Sequence, residues 1–159
     1  VRNDIQKDYQ YPIPVEYKPI LKDVLEDCPT SDGYEYDEKK FKVLDLVPEG
    51  GCWVNLPETI QKEYMMKSYF SGGGKRGIAK RLDMNKPSLT LLTTPSQKQT
   101  ERCHPTETRP LQILEYARIQ TFPDDYIFKG TLAQKYMQIG NAVPVKLGEA
   151  LAYSIKKIL

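Results

Sequence analysis

The spacing of apolar residues along the chain predicts five helices. In each of them apolar side chains recur every three or four residues, which gathers them on one face. The predicted helices cover 17–26, 56–63, 110–121, 131–138 and a last segment that begins at Pro144. Pro suits a first helical turn, where its missing N–H has no intrahelical partner in any case. In the last helix one apolar stripe is formed by Leu147, Leu151, Ile155 and Ile158.

One segment has the pattern of a strand. Residues 88–93 alternate polar and apolar side chains, as a half-buried strand does. Residues 41–44 are apolar and fit either a short strand or a helical turn. A strand among short helices predicts an α+β fold, with a small irregular β-sheet, short helices and a C-terminal helix.

Length and composition indicate one ordinary domain. The 159 residues are 40% hydrophobic, enough for a modest core. No apolar run approaches the length of a membrane span, so no membrane partner is expected. The three cysteines, Cys28, Cys52 and Cys103, are too few and too scattered for a disulfide framework, and their odd number fits a reducing cytoplasm.

The distribution of charge is more informative than its total. The net charge of +2 is nearly neutral and does not by itself indicate a nucleic-acid partner. Residues 21–50 are acid-rich, whereas residues 75–102 are rich in Lys and Arg. A DNA backbone responds to such a local excess of positive charge.

A glycine-rich basic loop lies at residues 72–77 and contains Lys75 and Arg76. Glycines let backbone amides approach a phosphate or a groove closely, so the loop is a candidate nucleic-acid contact. A flexible hairpin tip explains it equally well. The loop is not a nucleotide-binding P-loop, because the required spacing and the terminal Lys-Ser/Thr pair are absent.

The long polar segment 94–108 follows no helical or strand period. A loop of this length in a compact domain is usually functional or mobile. Within six positions it carries Gln97, Lys98, Gln99 and Arg102, side chains that hydrogen-bond to base edges in the major groove. The alternative is a solvated surface loop, and the enrichment in Gln, Lys and Arg favours base reading.

Other polar residues favour structural roles. Cys103 and His104 are adjacent, but no second Cys/His pair completes a metal site, so neither a metal site nor a catalytic residue is predicted. Asn141, between Gly140 and an apolar run, is expected by default to cap the final helix.

Two motifs carry a resemblance to a known family. Both segments resemble, in the right order, the last two signature blocks of the DNA (cytosine-5) methyltransferases. The first block is matched by Arg109, Leu111, Glu115, Arg118, Gln120, Phe122, Pro123, Asp124 and Tyr126. The second is matched by Tyr136, Gln138, Ile139, Gly140, Asn141, Ala142, Val143 and Pro144. Residues 87–93 resemble a strand of the family's recognition domain.

The resemblance assigns roles to residues. Arg109, Glu115 and Arg118 would be structural, and Gln112, where the family often has Thr or Ser, would start its helix weakly. Contacts to S-adenosylmethionine, held mostly by a catalytic domain, would come from Asn141, Ala142 and Val143. Thr90 would touch phosphate, and loops 72–81 and 94–104 would read DNA. The expected DNA-binding residues are Lys75, Arg76, Arg81, Thr90, Thr93, Gln97, Lys98, Gln99 and Arg102.

The family's catalytic motifs are missing from this sequence. It has no Pro-Cys loop, no Glu-Asn-Val block and no Phe-x-Gly-x-Gly turn. The chain is therefore expected to be the DNA-recognition portion of a prokaryotic, restriction-modification type cytosine-5 methyltransferase, inactive alone and located with the nucleoid in the cytoplasm. Its partners would be double-stranded DNA and the catalytic half of the same enzyme. The alternatives are a stand-alone DNA-binding or regulatory module and the non-catalytic subunit of a split methyltransferase.

The resemblance also divides the chain. Residues 1–135 would form the target-recognition domain, including the first block at 109–126. Residues 136–159 would form the second block and the C-terminal helix, packed on the catalytic domain. The segment Val1-Arg2-Asn3-Asp4 resembles the end of the preceding family block, which predicts a fragment cut at that border.

Overall fold

The computed structural model describes residues 8–71 and 77–159, and short helices dominate these two ranges. The helices are α1 (Lys22–Leu25), α2 (Glu38–Asp45), α3 (Glu58–Met65), α4 (Lys67–Phe70), α5 (Ile113–Ile119), α6 (Leu132–Asn141) and α7 (Val145–Lys156). Two 3₁₀ turns lie at Trp53–Asn55 and Lys98–Thr100. In the same ranges, no helix is both long and apolar enough to cross a bilayer.

The five predicted helices are all present, with different bounds. The first is only α1, a single turn, and the last begins directly after Pro144, which is its N-cap residue. The open choice for residues 41–44 is settled in favour of a helix, since they lie inside α2. Asp37 begins α2 by accepting a hydrogen bond from the Lys40 N–H at 2.8 Å.

The prediction of an α+β fold with a small β-sheet is wrong. Residues 8–71 and 77–159 contain no strand. They hold only two isolated bridges, a parallel one between Arg81 and Cys103 and an antiparallel one between Cys103 and Pro110. Three chain segments therefore lie side by side like strands, but each pair is bridged at a single residue and no ladder continues from it.

Prolines and arginine side chains explain why these bridges do not extend into a sheet within the described residues. Pro105 and Pro110 have no N–H and so interrupt the ladder next to Cys103. In the strand-like segment 88–93, the Thr90 carbonyl accepts hydrogen bonds from Nε and Nη2 of Arg102, at 3.1 and 2.8 Å. An arginine side chain thus occupies the carbonyl that a neighbouring strand would have used. The alternation of polar and apolar residues in 88–93 was therefore not enough to produce a paired strand.

Arg81 holds the centre of the molecule together. Its side chain is buried, and a guanidinium group that is shielded from water must satisfy all five of its N–H donors within the protein. All five are satisfied, partly by carbonyls at the C-terminal end of α2, where such groups lack helical partners. The acceptors are the carbonyls of Leu44 (2.7 Å), Val47 (2.7 Å), His104 (3.2 Å) and Glu107 (3.0 Å), and Oγ1 of Thr108 (2.8 Å).

Two hydrophobic cores lie on either side of this arginine. The first joins α1, α5 and α6 and includes Leu21, Leu82, Leu111, Tyr116, Tyr136 and Ile139. The second lies under α2 and α3 and includes Leu44, Leu56, Met65, Ala79 and Cys103. Residues 79–82 pass from the second core to the first, so Arg81 lies where the two meet.

The weak start expected for the helix at Gln112 is strengthened from a distant loop. Ser31 Oγ accepts the Leu114 N–H at 3.0 Å, and the Asp32 carbonyl accepts the Ile113 N–H at 2.9 Å. Gln112 in turn accepts the Ser31 N–H at 3.0 Å through Oε1. A serine 83 residues away in sequence thus performs the capping that a local Ser or Thr performs elsewhere.

Two sequence predictions stay predictions. The proposed boundary between residues 135 and 136 falls inside α6, whose Tyr136 and Ile139 are buried in the first core. The resemblance of Val1-Arg2-Asn3-Asp4 to a family block concerns residues outside those that the structure describes.

We expect Arg81→Lys to destabilise the protein strongly. An ammonium group cannot reach acceptors on both sides of a planar guanidinium, so several buried carbonyls lose their donors, at about 1–3 kcal/mol for each unsatisfied group. The free energy of unfolding, measured in urea, should fall by about 3 kcal/mol or more. The matched control is Arg118→Lys, since Arg118 pairs with the exposed carboxylates of Asp27 and Asp124 and should cost less than about 1 kcal/mol. Equal losses would contradict the central role of Arg81.

Ser31→Ala should remove a helix cap and cost about 1 kcal/mol of unfolding free energy. Gln112→Ser places a hydroxyl at the N-cap position of α5 itself. In that background Ser31→Ala should cost clearly less, because the local serine already accepts the free amide. A double-mutant cycle in urea measures the difference. The same cost in both backgrounds would show that Ser31 does not act as the cap of α5.

Candidate nucleic-acid interface

The polar segment 94–100 is anchored at its base by Lys40. The ammonium group of Lys40 donates to the Ser96 carbonyl at 2.8 Å and lies 2.9 Å from Oε2 of Glu101. Glu101 is fully buried, and its Oε1 accepts the Tyr36 hydroxyl at 2.9 Å. Burial raises the pKa of Glu101, and the Lys40 charge opposes that rise. One end of the segment is therefore fixed by an ion pair shielded from water.

Arg81 and Arg102, expected to contact DNA, are buried structural residues in this fold. Arg102 donates to the carbonyls of Thr90 and Glu101, and all the donors of Arg81 are engaged as described above. Only 5% of Arg81 and 7% of Arg102 is exposed. We therefore leave both out of the candidate surface.

Gln97 and Gln99 are exposed on the 3₁₀ turn between these anchors. The turn is closed by a hydrogen bond of 3.0 Å from the Thr100 N–H to the Gln97 carbonyl. Within the described residues, neither side-chain amide is engaged in a hydrogen bond. Two amides with both donors and acceptors available are thus presented on a rigid base, as base reading requires.

Lys98 projects from the same turn but is partly held. Its ammonium group donates to the Tyr64 carbonyl at 3.2 Å and lies 5.0 Å from the centre of the Tyr64 ring. Sequence reasoning missed Tyr64 and Lys40 as supports of this turn. They lie 34 and 56 residues from their partners, so no local pattern could have indicated them.

The end of the glycine-rich loop lies beside this turn. Glu101 N–H donates to the Gly77 carbonyl at 2.9 Å, and a side chain at Gly77 would collide with the Gln99 carbonyl, at 2.5 Å. Thr90 and Thr93 are also exposed, on the segment that Arg102 holds. Lys75 and Arg76 fall outside the residues that the structure describes. The two loops expected to read DNA therefore meet where the structure describes them.

The turn that follows α6 carries Asn141, Ala142 and Val143. Asn141 is the last residue of α6 and is exposed, and it does not cap α7, whose N-cap residue is Pro144. The default expectation of a capping role was therefore wrong. Gly140, just before it, lies against the backbone of Leu92, and any Cβ there would overlap the Leu92 carbonyl. The turn is thus in direct contact with the segment that carries Thr90 and Thr93.

An apolar surface is left uncovered beside this turn. Val143 is 61% exposed, and α7 exposes Leu147 and Ile155 from its predicted stripe. Ser154 and Ile158 are buried, and they line a shallow groove with Asp8 and Gln10. Residues 11–17, which follow Gln10 in the chain, expose alternate apolar side chains at Tyr11, Ile13, Val15 and Tyr17. We call α7 together with residues 11–17 the apolar shoulder.

Cys103 and His104 show no catalytic chemistry. Cys103 is fully buried, and burial raises the pKa of its thiol to about 11, so it is not a thiolate at neutral pH. His104 Nδ1 accepts the backbone N–H of Glu107 at 3.2 Å, a bond that only the neutral ring can accept. In the described residues, no group of three or more His, Cys, Asp or Glu side chains could hold a metal ion.

The two family-pattern residues next to His104 form a tight pair. Arg109 binds Glu115 with both Nη atoms, at 2.9 and 2.7 Å, and Glu115 also accepts the Gln112 N–H at 2.6 Å. This bidentate pair ties the loop before α5 to the first turn of that helix, which agrees with the structural role expected from the resemblance.

Comparison with known proteins gives one consistent family. The model of the C-5 cytosine-specific DNA methylases matches residues 2–157, nearly the whole chain. Type II methyltransferase M.Eco47II of Escherichia coli is 53% identical, and the match covers 100% of this chain and 40% of that protein. Type II methyltransferase M.Sau96I of Staphylococcus aureus is 56% identical, with 98% of this chain and 37% of that protein covered.

A eukaryotic relative matches a shorter part. DNA (cytosine-5)-methyltransferase CMT2 of Oryza sativa subsp. japonica is 48% identical over 66 residues, 42% of this chain and 5% of that protein. The chain thus spans about 40% of the length of the bacterial relatives that match it throughout.

The neutral state of His104 predicts a loss of stability in mild acid. Burial lowers its pKa below the ordinary 6.5, and the Glu115 carboxylate only partly offsets this effect. Below about pH 6.5 His104 becomes protonated in the unfolded chain while it stays neutral in the folded protein. The free energy of unfolding therefore falls as the pH drops toward the folded-state pKa. We expect His104 to lower the free energy of unfolding between pH 7.5 and pH 5, measured in urea. Glu101, whose pKa is raised by burial, contributes in the opposite direction in the acidic part of this window.

His104→Gln should flatten this part of the pH dependence. Glu107 and Asp124, whose pKa values are lowered mainly by the hydrogen bonds they accept from Arg109 and Arg118, lose their contributions at more acidic pH and leave this window largely unaffected. An unchanged slope between pH 7.5 and pH 5 in the variant would show that His104 is not the group that titrates.

Proposed function

Because the chain belongs to the C-5 cytosine-specific DNA methylase family, we propose that it is the DNA-reading portion of a sequence-specific cytosine-5 methyltransferase of the restriction-modification type. The complete enzyme would transfer a methyl group from S-adenosylmethionine to C5 of cytosine in duplex DNA. This chain would bind the target sequence and form one side of the cofactor site. The two bacterial relatives described above, which match nearly the whole chain, are type II methyltransferases, which supports a place beside the nucleoid in a prokaryotic cytoplasm.

The chemical step would depend on residues outside this chain. Attack on the ring needs a cysteine thiolate, and the target base must leave the helix and enter a closed pocket. None of the three cysteines follows a proline, and burial raises the pKa of both Cys28 and Cys103 to about 11. These thiols suit packing rather than nucleophilic attack, so we assign the chain no catalytic residue.

Base reading is assigned to Gln97 and Gln99. The observation that supports it is the pair of exposed amides, without a hydrogen bond to the described residues, on a turn anchored at both ends. A rigid base lowers the entropy cost of ordering the reading side chains on DNA. Lys98 and the basic loop with Lys75 and Arg76 supply positive charge, while Thr90 and Thr93 suit phosphate oxygens. Arg81 and Arg102 act behind this surface as its supports.

The cofactor side of the chain is assigned to Asn141, Ala142 and Val143. S-adenosylmethionine itself would supply the methyl group. The residues fit one wall of such a site, because Asn141 offers an exposed amide that forms no hydrogen bond with the described residues and Val143 offers an exposed apolar surface next to it. A polar anchor beside apolar surface is what small-molecule sites commonly use.

The apolar shoulder is assigned to contact with the catalytic half of the enzyme. The relatives are about two and a half times as long as this chain, so they contain a body large enough to cover α7 and residues 11–17. Several large apolar side chains exposed on one segment are typical of an interface. The same surface would serve if the catalytic half were a separate partner subunit.

The test is made with the complete enzyme, in which this chain replaces the matching part of its Escherichia coli relative. Selection of bound duplexes from a randomised pool first identifies the target sequence. Gln97→Ala and Gln99→Ala should then reduce discrimination between the target and sites with one changed base pair by about 1–3 kcal/mol, roughly 5- to 150-fold. Binding to unrelated DNA should change little.

Thr90→Val is the contrasting variant, because loss of a phosphate contact weakens binding to all sequences alike. Gln138→Ala, which removes an exposed glutamine of α6, should leave both quantities unchanged. If Gln97→Ala and Gln99→Ala behaved like Thr90→Val, these amides would contact the DNA backbone rather than the bases. If no specific sequence were selected, the proposed function itself would be wrong.

A further inference from the structure

The turn between α6 and α7 is held by a residue that neither helix contains. The Gln120 side-chain amide donates to the Ile139 carbonyl at 3.1 Å and to the Ala142 carbonyl at 3.2 Å. These two carbonyls flank Gly140 and Asn141. One amide nitrogen therefore spans the residues on both sides of Asn141 and fixes the backbone between them.

The backbone of the same region holds the start of α7. The Gln120 carbonyl accepts the Val145 N–H at 3.1 Å, and Thr121 Oγ1 accepts the Lys146 N–H at 2.9 Å. The first amides of a helix have no partner within it, so these two bonds serve as an external cap. Residues 120 and 121 thus hold the turn from both ends.

Thr121 adopts a backbone conformation that is costly for its residue type. Its φ is +61°, in the left-handed region that β-branched residues rarely adopt. Such strain persists only where the surrounding contacts compensate for it, and it is common where a site must be held in one geometry. Here the strained residue directs its hydroxyl to the helix that follows the turn.

The residue before Asn141 is also closely packed. Gly140 lies directly against the backbone at Leu92, as described above, and backbone cannot yield as a side chain can. Asn141 is consequently fixed between Gln120 on one side and residues 92–93 on the other. Its own side chain is exposed.

We propose that Gln120 is a positioning residue for the cofactor side of the enzyme, setting the geometry from which Asn141 meets S-adenosylmethionine. The proposal rests on the assigned cofactor role of Asn141. Without the Gln120 amide, two carbonyls lose a donor and the turn relaxes, so the cofactor meets an Asn141 that must first be ordered. That cost lowers cofactor affinity and leaves base reading by Gln97 and Gln99 unaffected.

The experiment measures Kd values by calorimetry in the complete enzyme, for S-adenosylmethionine without DNA and for the target duplex. Gln120→Ala should raise the Kd for S-adenosylmethionine about tenfold, the usual effect of one or two lost hydrogen bonds. The Kd for the target duplex should stay within about twofold. Gln138→Ala is the matched control, because Gln138 also donates to a backbone carbonyl, that of Lys129 at 2.8 Å, but away from the turn.

A double-mutant cycle separates positioning from general stability. If Gln120 acts through Asn141, then Gln120→Ala should have little further effect on the cofactor Kd once Asn141→Ala is present. Gln120→Glu, which keeps the shape and replaces the donor by an acceptor, should weaken cofactor binding at least as much and guards against misfolding of the alanine variant. A full effect of Gln120→Ala in the Asn141→Ala background, or an equal loss of duplex binding, would overturn the proposal. Failure of the unaltered enzyme to bind S-adenosylmethionine would instead refute the proposed function.

Discussion

The need to satisfy a buried guanidinium group governs the architecture of this chain. Arg81 lies between the two cores with all five donors engaged, and its acceptors come from the end of α2 and from residues 104–108. These segments are far apart in sequence, so the arginine does what a central strand does in other folds. Arg102 repeats the principle on a smaller scale at Thr90. Short helices can therefore be held together without a continuous sheet.

Burial distinguishes the polar residues that hold the fold together from those that are exposed and available to a ligand. Arg81 and Arg102 are buried as supports, while the uncharged amides of Gln97 and Gln99 are exposed. Lys40 and Glu101 form the buried pair under this turn. Positive charge in the sequence therefore does not by itself distinguish exposed residues from buried supports.

Local patterns predicted the helices well and the sheet not at all. Helical spacing depends on neighbours three and four residues away, so α3, α5, α6 and α7 could be found from sequence. Whether residues 88–93 pair with another strand depends on which donor reaches the Thr90 carbonyl. In this fold that donor is the Arg102 side chain, not a strand backbone. The family motifs singled out Asn141 and its neighbours, whose cofactor role stays a proposal. They could not indicate that Arg81 and Arg102 are buried, because charge and spacing are the same for a support and for a contact.

The cap that Ser31 provides has a consequence for how the chain acquires its structure. The leading N–H groups of Ile113 and Leu114 in helix α5 gain their acceptors only when a loop some 80 residues earlier has arrived, because Asp32 and Ser31 supply them. During synthesis that loop leaves the ribosome long before its partner exists. Closing so large a loop is entropically unfavourable and slow compared with forming a local turn. The N-terminal third should therefore stay open to proteases in nascent chains until residues 110–120 have emerged.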